Sequence, residues 1–172
     1  METLFDQFGW KVFLEEAPLP DGRTKKVARV QRADSAHVIA LTNTGNILLI
    51  REFRPFYKEY IWMLPSGRID KETDPIAGAQ RELQEETGYR AEKLEHLWTL
   101  SHSESMIMAN HAYVATGLVK DPLPQDPDEL IEVHEVDIHE ALKLVESSPK
   151  VHLPSAYALR RFIDQHISGP RS

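Results

Sequence analysis

The segment Arg81-Glu82-Leu83-Gln84-Glu85-Glu86-Thr87-Gly88-Tyr89 concentrates the chemistry of this chain. Glu82, Glu85 and Glu86 stand at i, i+3 and i+4, so a helix carries all three on one side. Like charges so spaced repel by about 0.2–0.5 kcal/mol per exposed pair. A wet surface tolerates that cost. A divalent cation turns it to use, because magnesium takes hard oxygen ligands and keeps several waters. Ions held by Glu82, Glu85 and Glu86 could neutralise the charge of an anionic ligand and lower the pKa of a bound water. Arg81 is placed to orient one carboxylate through a charge-assisted hydrogen bond. The competing reading is a solvated helix face with Arg81 as the i,i+4 partner of Glu85.

The elements that must position these groups follow from the flanking residues. Asp74 is a suitable N-cap, Pro75 suits the first turn, and Gly88 can adopt the left-handed conformation that ends a helix. Ile76, Ala79 and Leu83 fall on one stripe, predicted to pack on a sheet. Glu82 and Glu86 lie at the edge of that stripe, with Glu85 just beyond, so the acids are anchored beside buried structure.

Strands are predicted at Trp10–Leu14 and Lys25–Gln31, joined across the turn signal Pro18-Leu19-Pro20-Asp21-Gly22. Ala36–Leu41 and Asn46–Glu52 flank Thr42-Asn43-Thr44-Gly45 as a hairpin. Ile47-Leu48-Leu49-Ile50 reads as a strand buried on both faces. A short strand at Tyr60–Met63 stops before Pro65. Further strands are expected at Leu94–His102, His111–Ala115 and Ile131–Val136, with a loop from Leu118 to Leu130. Two helices close the chain, at His139–Glu146 and Ser155–Ile167; Ala156, Leu159, Phe162 and Ile163 make the apolar stripe of the second.

Composition bounds the rest. The chain has 172 residues, is 41% hydrophobic and 27% charged, and carries a net charge of -7, as a globular protein with a substantial core would. That charge argues against nonspecific binding to nucleic acid or to an anionic membrane. The chain has no cysteine, so thiol nucleophiles, disulfides and cysteine-ligated metals are excluded. Met1–Asp6 lacks a basic start and an apolar core, and no apolar run approaches a membrane span, so a cytoplasmic protein is expected.

The pattern resembles the Nudix box: Gly, five residues, Glu, seven residues, then Arg-Glu-apolar-any-Glu-Glu-any-Gly-apolar. Gly67 opens it and Arg81 through Tyr89 fill its second half. One position departs. The first Glu of the box falls at Thr73, with Glu72 one residue early. The resemblance implies an α/β class, a Nudix-fold α/β/α sandwich with a mixed central sheet, in a single domain over residues 1–172. It also implies a magnesium cofactor, with manganese as the alternative ion, and a metal site of Glu82, Glu85, Glu86 and the Ser66 backbone carbonyl.

Arg51-Glu52-Phe53-Arg54-Pro55 and Trp62-Met63-Leu64-Pro65-Ser66-Gly67 look like the ADP-ribose pyrophosphatase branch. So do the early Leu19-Pro20-Asp21-Gly22 and the acidic Asp128-Glu129-Leu130-Ile131-Glu132-Val133. That branch cleaves nucleoside diphosphate sugars to a nucleoside monophosphate and a sugar phosphate. The resemblance implies catalytic roles for Glu85, Glu86, Glu129 and Arg81. Arg54 would hold a phosphate; Arg51 is a second substrate-binding candidate, although it points to the opposite side of the same strand by the period-two rule. Trp10 or Phe13, supplied across a homodimer whose first 35 residues are in contact, would stack on the base. The segment Ser101–Asn110 lacks the branch's Pro-Gly-rich loop and leaves Glu104 as its one acid near the sugar. His102 and His111, nine apart with no third ligand nearby, do not make a zinc site. Two alternatives stay open: a Nudix hydrolase for another nucleoside polyphosphate or coenzyme, and a sensing module that binds a nucleotide sugar without cleaving it.

Overall fold

The structure is a computed structural model that describes residues 1–71 and 74–167; Glu72 and Thr73 lie outside the described residues. In chain order the elements are β1 (Glu2–Gln7), β2 (Trp10–Pro18), β3 (Thr24–Arg32), β4 (Ser35–Leu41), β5 (Ile47–Arg54), β6 (Glu59–Met63), β7 (Ser66–Arg68), α1 (Pro75–Thr87), β8 (Tyr89–Ser101), β9 (Met106–Ile107), β10 (Ala109–Lys120), β11 (Ile131–Val136), α2 (Ile138–Ser147) and α3 (Leu153–Phe162). A π-helical turn at Ile163–Ile167 follows α3.

The central sheet has the order β11-β5-β4-β10-β8, with β6 paired to β5 and β7 paired to β4. It is mixed, because β4 and β10 run parallel while their other neighbours are antiparallel. Period-two alternation sorts its side chains into two cores. Ala36, Val38, Ala40, Tyr113 and Ala115 meet Ala79 and Leu83 of α1 on one face. Ile39, Ile47, Leu49, Ala112 and Val114 meet α2 and α3 on the other. Two covered faces explain why Ile47, Leu48, Leu49 and Ile50 are all buried. The result is the expected α/β/α arrangement.

Helix α1 begins and ends as its sequence dictates. The Asp74 side chain accepts from the Ile76 N–H at 3.0 Å, Pro75 opens the first turn, and Gly88 closes the helix at φ 75° with its N–H on the Gln84 carbonyl. Ala79 and Leu83 are fully buried, and burial of a leucine side chain contributes about 1.5–3 kcal/mol. Ile76 corrects the predicted stripe. It is 43% exposed, and Gly78 and Glu86 take part in the buried face instead. Ile76 lies in the first turn, ahead of the part of the helix that rests on the sheet.

Other boundaries shift for identifiable reasons. β8 starts at Tyr89, directly after the cap, and supplies Ala91, Arg90 and Tyr89 as partners for Leu118, Val119 and Lys120. The expected loop therefore begins at Asp121 rather than Leu118. The short β7 is additional; it lays Ser66, Gly67 and Arg68 against His37, Ala36 and Ser35. Trp10 opens the second strand rather than the first. The unforeseen β1 pairs with β2 through Phe8 and Gly9, both at positive φ as a two-residue hairpin turn requires. β1, β2, β3 and β9 form a separate four-stranded sheet. No helix among the described residues is long and apolar enough to cross a membrane.

Candidate active site

The solvated-face reading of the acidic triplet does not survive packing. The side chains of Arg81, Glu82 and Glu85 are 14%, 12% and 21% exposed, and Glu86 is buried. Arg81 bridges Glu82 at 2.7 Å and Glu85 at 2.5 Å, and also donates to the Arg68 carbonyl at 3.0 Å. One guanidinium thus ties two of the acids to β7. Lys71 stands 3.9 Å from Glu85 on the outer side. Glu86 accepts the backbone N–H of Ser66 at 2.7 Å. The Glu82 carboxylate packs directly over the Cα of Gly67. The first residue of the motif and its acids, far apart in sequence, are therefore in contact.

These groups form one wall of a cleft of about 760 Å³. Arg54 and Glu129 line it too, from the end of β5 and from the loop before β11. Arg54 is ion-paired with Glu52 at 2.8 Å. Glu129 is held in a turn, its N–H donating to the Asp126 carbonyl and its carbonyl accepting from Gln125. The cleft thus gathers Ser66, Arg81, Glu82, Glu85, Glu86, Glu129 and Arg54.

Four residues considered for the site are elsewhere in the protomer. Arg51 projects from the other face of β5, with its guanidinium 4.5 Å from the Tyr60 ring centroid and 3.1 Å from Glu132. Trp10 lies beneath Arg32, whose guanidinium sits 4.4 Å from its ring, and it is Arg32 that reaches the cleft. Phe13 is buried and offers no ring to a ligand. Glu104 is exposed on the loop before β9, where its carbonyl accepts from Arg29.

The structure adds residues that the sequence reading passed over. Glu52 is buried and faces the cleft on the same side of β5 as Arg54, a relation that the i,i+2 spacing already carried. Arg32 and Arg68 bring positive charge. His37, Asn110 and His152 come from β4, β10 and the N-cap of α3 and had no local signal.

Electrostatics favour a bound cation. Burial raises the Glu82 carboxyl to about 7, with Arg81 opposing and Glu85 and Glu129 adding repulsion. Glu86 is pushed well above the usual carboxylate range, first by burial and then by Glu82, Glu52 and Glu129; the Ser66 N–H pulls the other way. Glu129 is raised by burial and by Asp126. Such a set of oxygen donors, short of positive charge, fits a hard divalent ion. Among the described residues no three His, Asp or Glu side chains already close on one point, and Arg81 holds two of the acids in the meantime.

Comparison with known proteins agrees with this geometry. The family model described as NUDIX domain matches residues 31–158, and the chain belongs to that family, as a Nudix pyrophosphohydrolase. It is 34% identical over 162 residues to the ADP-ribose pyrophosphatase of Bacillus subtilis (strain 168), covering 92% of this chain and 88% of that one. It is also 34% identical over 149 residues to the methanol dehydrogenase activator of Bacillus methanolicus, covering 84% and 80%. A solved structure titled as an ADP compounds hydrolase shares the fold at a TM-score of 0.78, with 22% identity over 94% of this chain and 90% of that one.

Proposed function

We propose that this chain is a divalent-metal-dependent hydrolase that cleaves the diphosphate linkage of ADP-ribose or a related nucleoside diphosphate sugar, releasing a nucleoside monophosphate and a sugar phosphate. The observation that carries this reading is the buried Glu86, fixed on the Ser66 N–H beside Glu82 and Glu85 in a cleft that also holds Arg54. The similarity to an ADP-ribose pyrophosphatase over most of both chains supports the substrate class.

Glu82, Glu85, Glu86 and the Ser66 carbonyl would hold the metal. Bound there, a divalent ion supplies charge neutralisation and a water of lowered pKa. We assign magnesium, with manganese as the substitute. Arg54 binds a phosphate oxygen once the substrate draws it from Glu52. Arg81 orients the carboxylates of Glu82 and Glu85. Glu129, in the loop at the cleft, would accept a proton from the attacking water, its hold on that proton strengthened by burial and by Asp126. Water adds to one phosphorus, the bridging P–O bond breaks, and the second phosphate leaves with the sugar.

The N-terminal sheet is read as part of the same domain and as a dimer contact. β1 is exposed along its whole length, Leu4 and Phe5 included, and so is Phe8 in the turn that follows. In a homodimer Trp10 and Glu104 of one protomer would serve the other's cleft. The cysteine-free chain suits a reducing cytoplasm.

A panel of ADP-ribose, other nucleoside diphosphate sugars, nucleoside triphosphates and coenzymes, assayed with magnesium and with manganese, tests the proposal. Release of nucleoside monophosphate from the sugar nucleotides supports it. Exclusive turnover of triphosphates or coenzymes selects another Nudix activity. Tight calorimetric binding of ADP-ribose with no product selects a sensing module.

A further inference from the structure

Ser35, His37, Asn110 and His152 are uncharged members of the cleft lining, and their hydrogen bonds are laid out in an informative way. Ser155 is completely buried, and its hydroxyl oxygen accepts the Leu64 N–H at 2.9 Å. Among the described residues its remaining polar neighbour is Nδ1 of His152, at 2.7 Å. A buried hydroxyl hydrogen needs an acceptor, so it is donated to Nδ1. The proton of the His152 ring therefore sits on Nε2. No hydrogen bond involves that nitrogen among the described residues, and it is not among the sealed polar atoms. His152 is partly exposed and lines the cleft, which leaves its Nε2–H an open side there.

The neighbours of His152 continue this neutral surface. The His37 ring lies 5.5 Å away, centroid to centroid. Its Nε2 is shared between Ser35 at 3.1 Å and the Asn110 side-chain oxygen at 3.2 Å. Beyond His37 and Asn110 a recess of about 240 Å³ opens from the cleft and adds the rings of Trp98 and Tyr157. The same cleft is lined by the carboxylates of α1 and by Arg54, whose charge acts on His152.

The charged and the uncharged lining residues suit different parts of a substrate. A diphosphate brings only acceptors and negative charge, and it belongs with cations and guanidinium groups. A sugar brings hydroxyls that both accept and donate, and apolar C–H faces that pack on aromatic rings. We infer that the wall of His152, Asn110 and Ser35, with the recess behind it, holds the sugar attached to the distal phosphate, and that the Nε2–H of His152 donates to one of its hydroxyls. This makes His152 a specificity-determining residue for the sugar rather than for the diphosphate. The inference rests on the reading of the chain as a nucleoside diphosphate sugar hydrolase.

The test compares ADP-ribose with the β-methyl ester of ADP, which keeps the diphosphate diester and lacks the sugar. In His152→Phe the ratio of kcat/KM for ADP-ribose to that for the methyl ester falls about three- to tenfold, the size expected for one lost neutral hydrogen bond. His152→Gln places an amide N–H near the position of Nε2 and recovers most of that ratio. Melting temperatures of both variants check the fold. Equal losses on the two substrates in a folded variant, or no change on either, overturn the inference while the proposed function stands. A wild-type enzyme that turns over neither substrate overturns the proposed function, and this inference with it.

Discussion

The carboxylate of Glu82 occupies the space in which a side chain at residue 67 would begin: a Cβ built on Gly67 would stand 2.0 Å from Glu82 Oε2. The requirement for glycine is thus imposed by the acid 15 positions later in the chain. Gly67→Ala pushes that carboxylate aside and loosens its 2.7 Å bridge to Arg81. Displacement of a catalytic group by about 1 Å can cost ~100-fold in rate. Turnover is therefore expected to fall by about that factor while the melting temperature changes little, because the displaced atoms are the tip of a flexible side chain. Steady-state kinetics and a thermal melt check both halves; an alanine variant with full activity contradicts the placement.

Glu86 is expected to lower the stability of the metal-free protein. Its carboxyl titrates well above the usual range because it is buried. The folded state resists its ionisation, so stability is present below the unfolded pKa and is lost as pH rises through the folded pKa. Glu86→Gln keeps an oxygen for the Ser66 N–H and removes the charge. Without metal the variant melts higher than wild type at pH 7.5, the advantage shrinks toward pH 4.5, and turnover is abolished. Melts in a chelator across that range check the sign.

The buried histidines work in the opposite direction. Burial lowers His37 to about 4 and His152 to about 3, so the unfolded chain takes up protons that the folded one refuses. Their contribution is complete above about pH 6.5 and is lost as pH falls toward those values, at ~1.4 kcal/mol per pH unit and group. In wild type the raised Glu82 and Glu86 offset this loss. Urea midpoints of Glu86→Gln should therefore drop more steeply between pH 6.5 and 4.5 than those of wild type. Parallel slopes for the two proteins would contradict the opposed titrations.

Arg51 and Arg54 separate function from packing on one strand. Arg54 lines the cleft against Glu52, whereas Arg51 stacks on Tyr60 from the other face. Arg54→Ala should raise KM about tenfold or more, as expected for a lost charge-assisted contact of ~1.5–3 kcal/mol. Arg51→Ala should leave KM alone and cost ~0.5–1 kcal/mol of stability, the value of an exposed cation–π contact. Kinetics and urea melts of the two variants distinguish these outcomes.

The contrast shows what the sequence could carry. Period two separated Arg51 from Arg54, and helical spacing with Asp74 and Gly88 placed the acids, because those rules are local. The strand expected at Asn46–Glu52 falls close to the observed Ile47–Arg54 because its apolar run is buried on both faces, and Ile131–Val136 matches because a proline-rich loop precedes it and the helix cap Asp137 follows it. His37, Asn110 and His152 were not legible, since three elements far apart in sequence bring them together. β1 escaped because its residues are all exposed and so carry no inward-outward alternation. The depth of Glu86 also had to come from packing: a glutamate at the edge of a stripe becomes buried only once β7 lies across it.

The hairpin of β1 and β2 yields the final prediction. Leu4 is 55% exposed on β1 and Phe8 85% exposed in the turn that follows it, and every residue of the strand is exposed. Apolar side chains grouped on such a strand favour burial against a second copy, and each is worth ~1.5–3 kcal/mol when fully covered. Sedimentation at micromolar concentration should therefore give a dimer mass. Leu4→Glu combined with Phe8→Glu places two like charges in the contact and should yield a monomer with an unchanged thermal transition for the central sheet. If Trp10 of one protomer completes the cleft of the other, the monomer also shows a raised KM for ADP-ribose. A monomeric wild type with full activity rules out both the contact and the shared site.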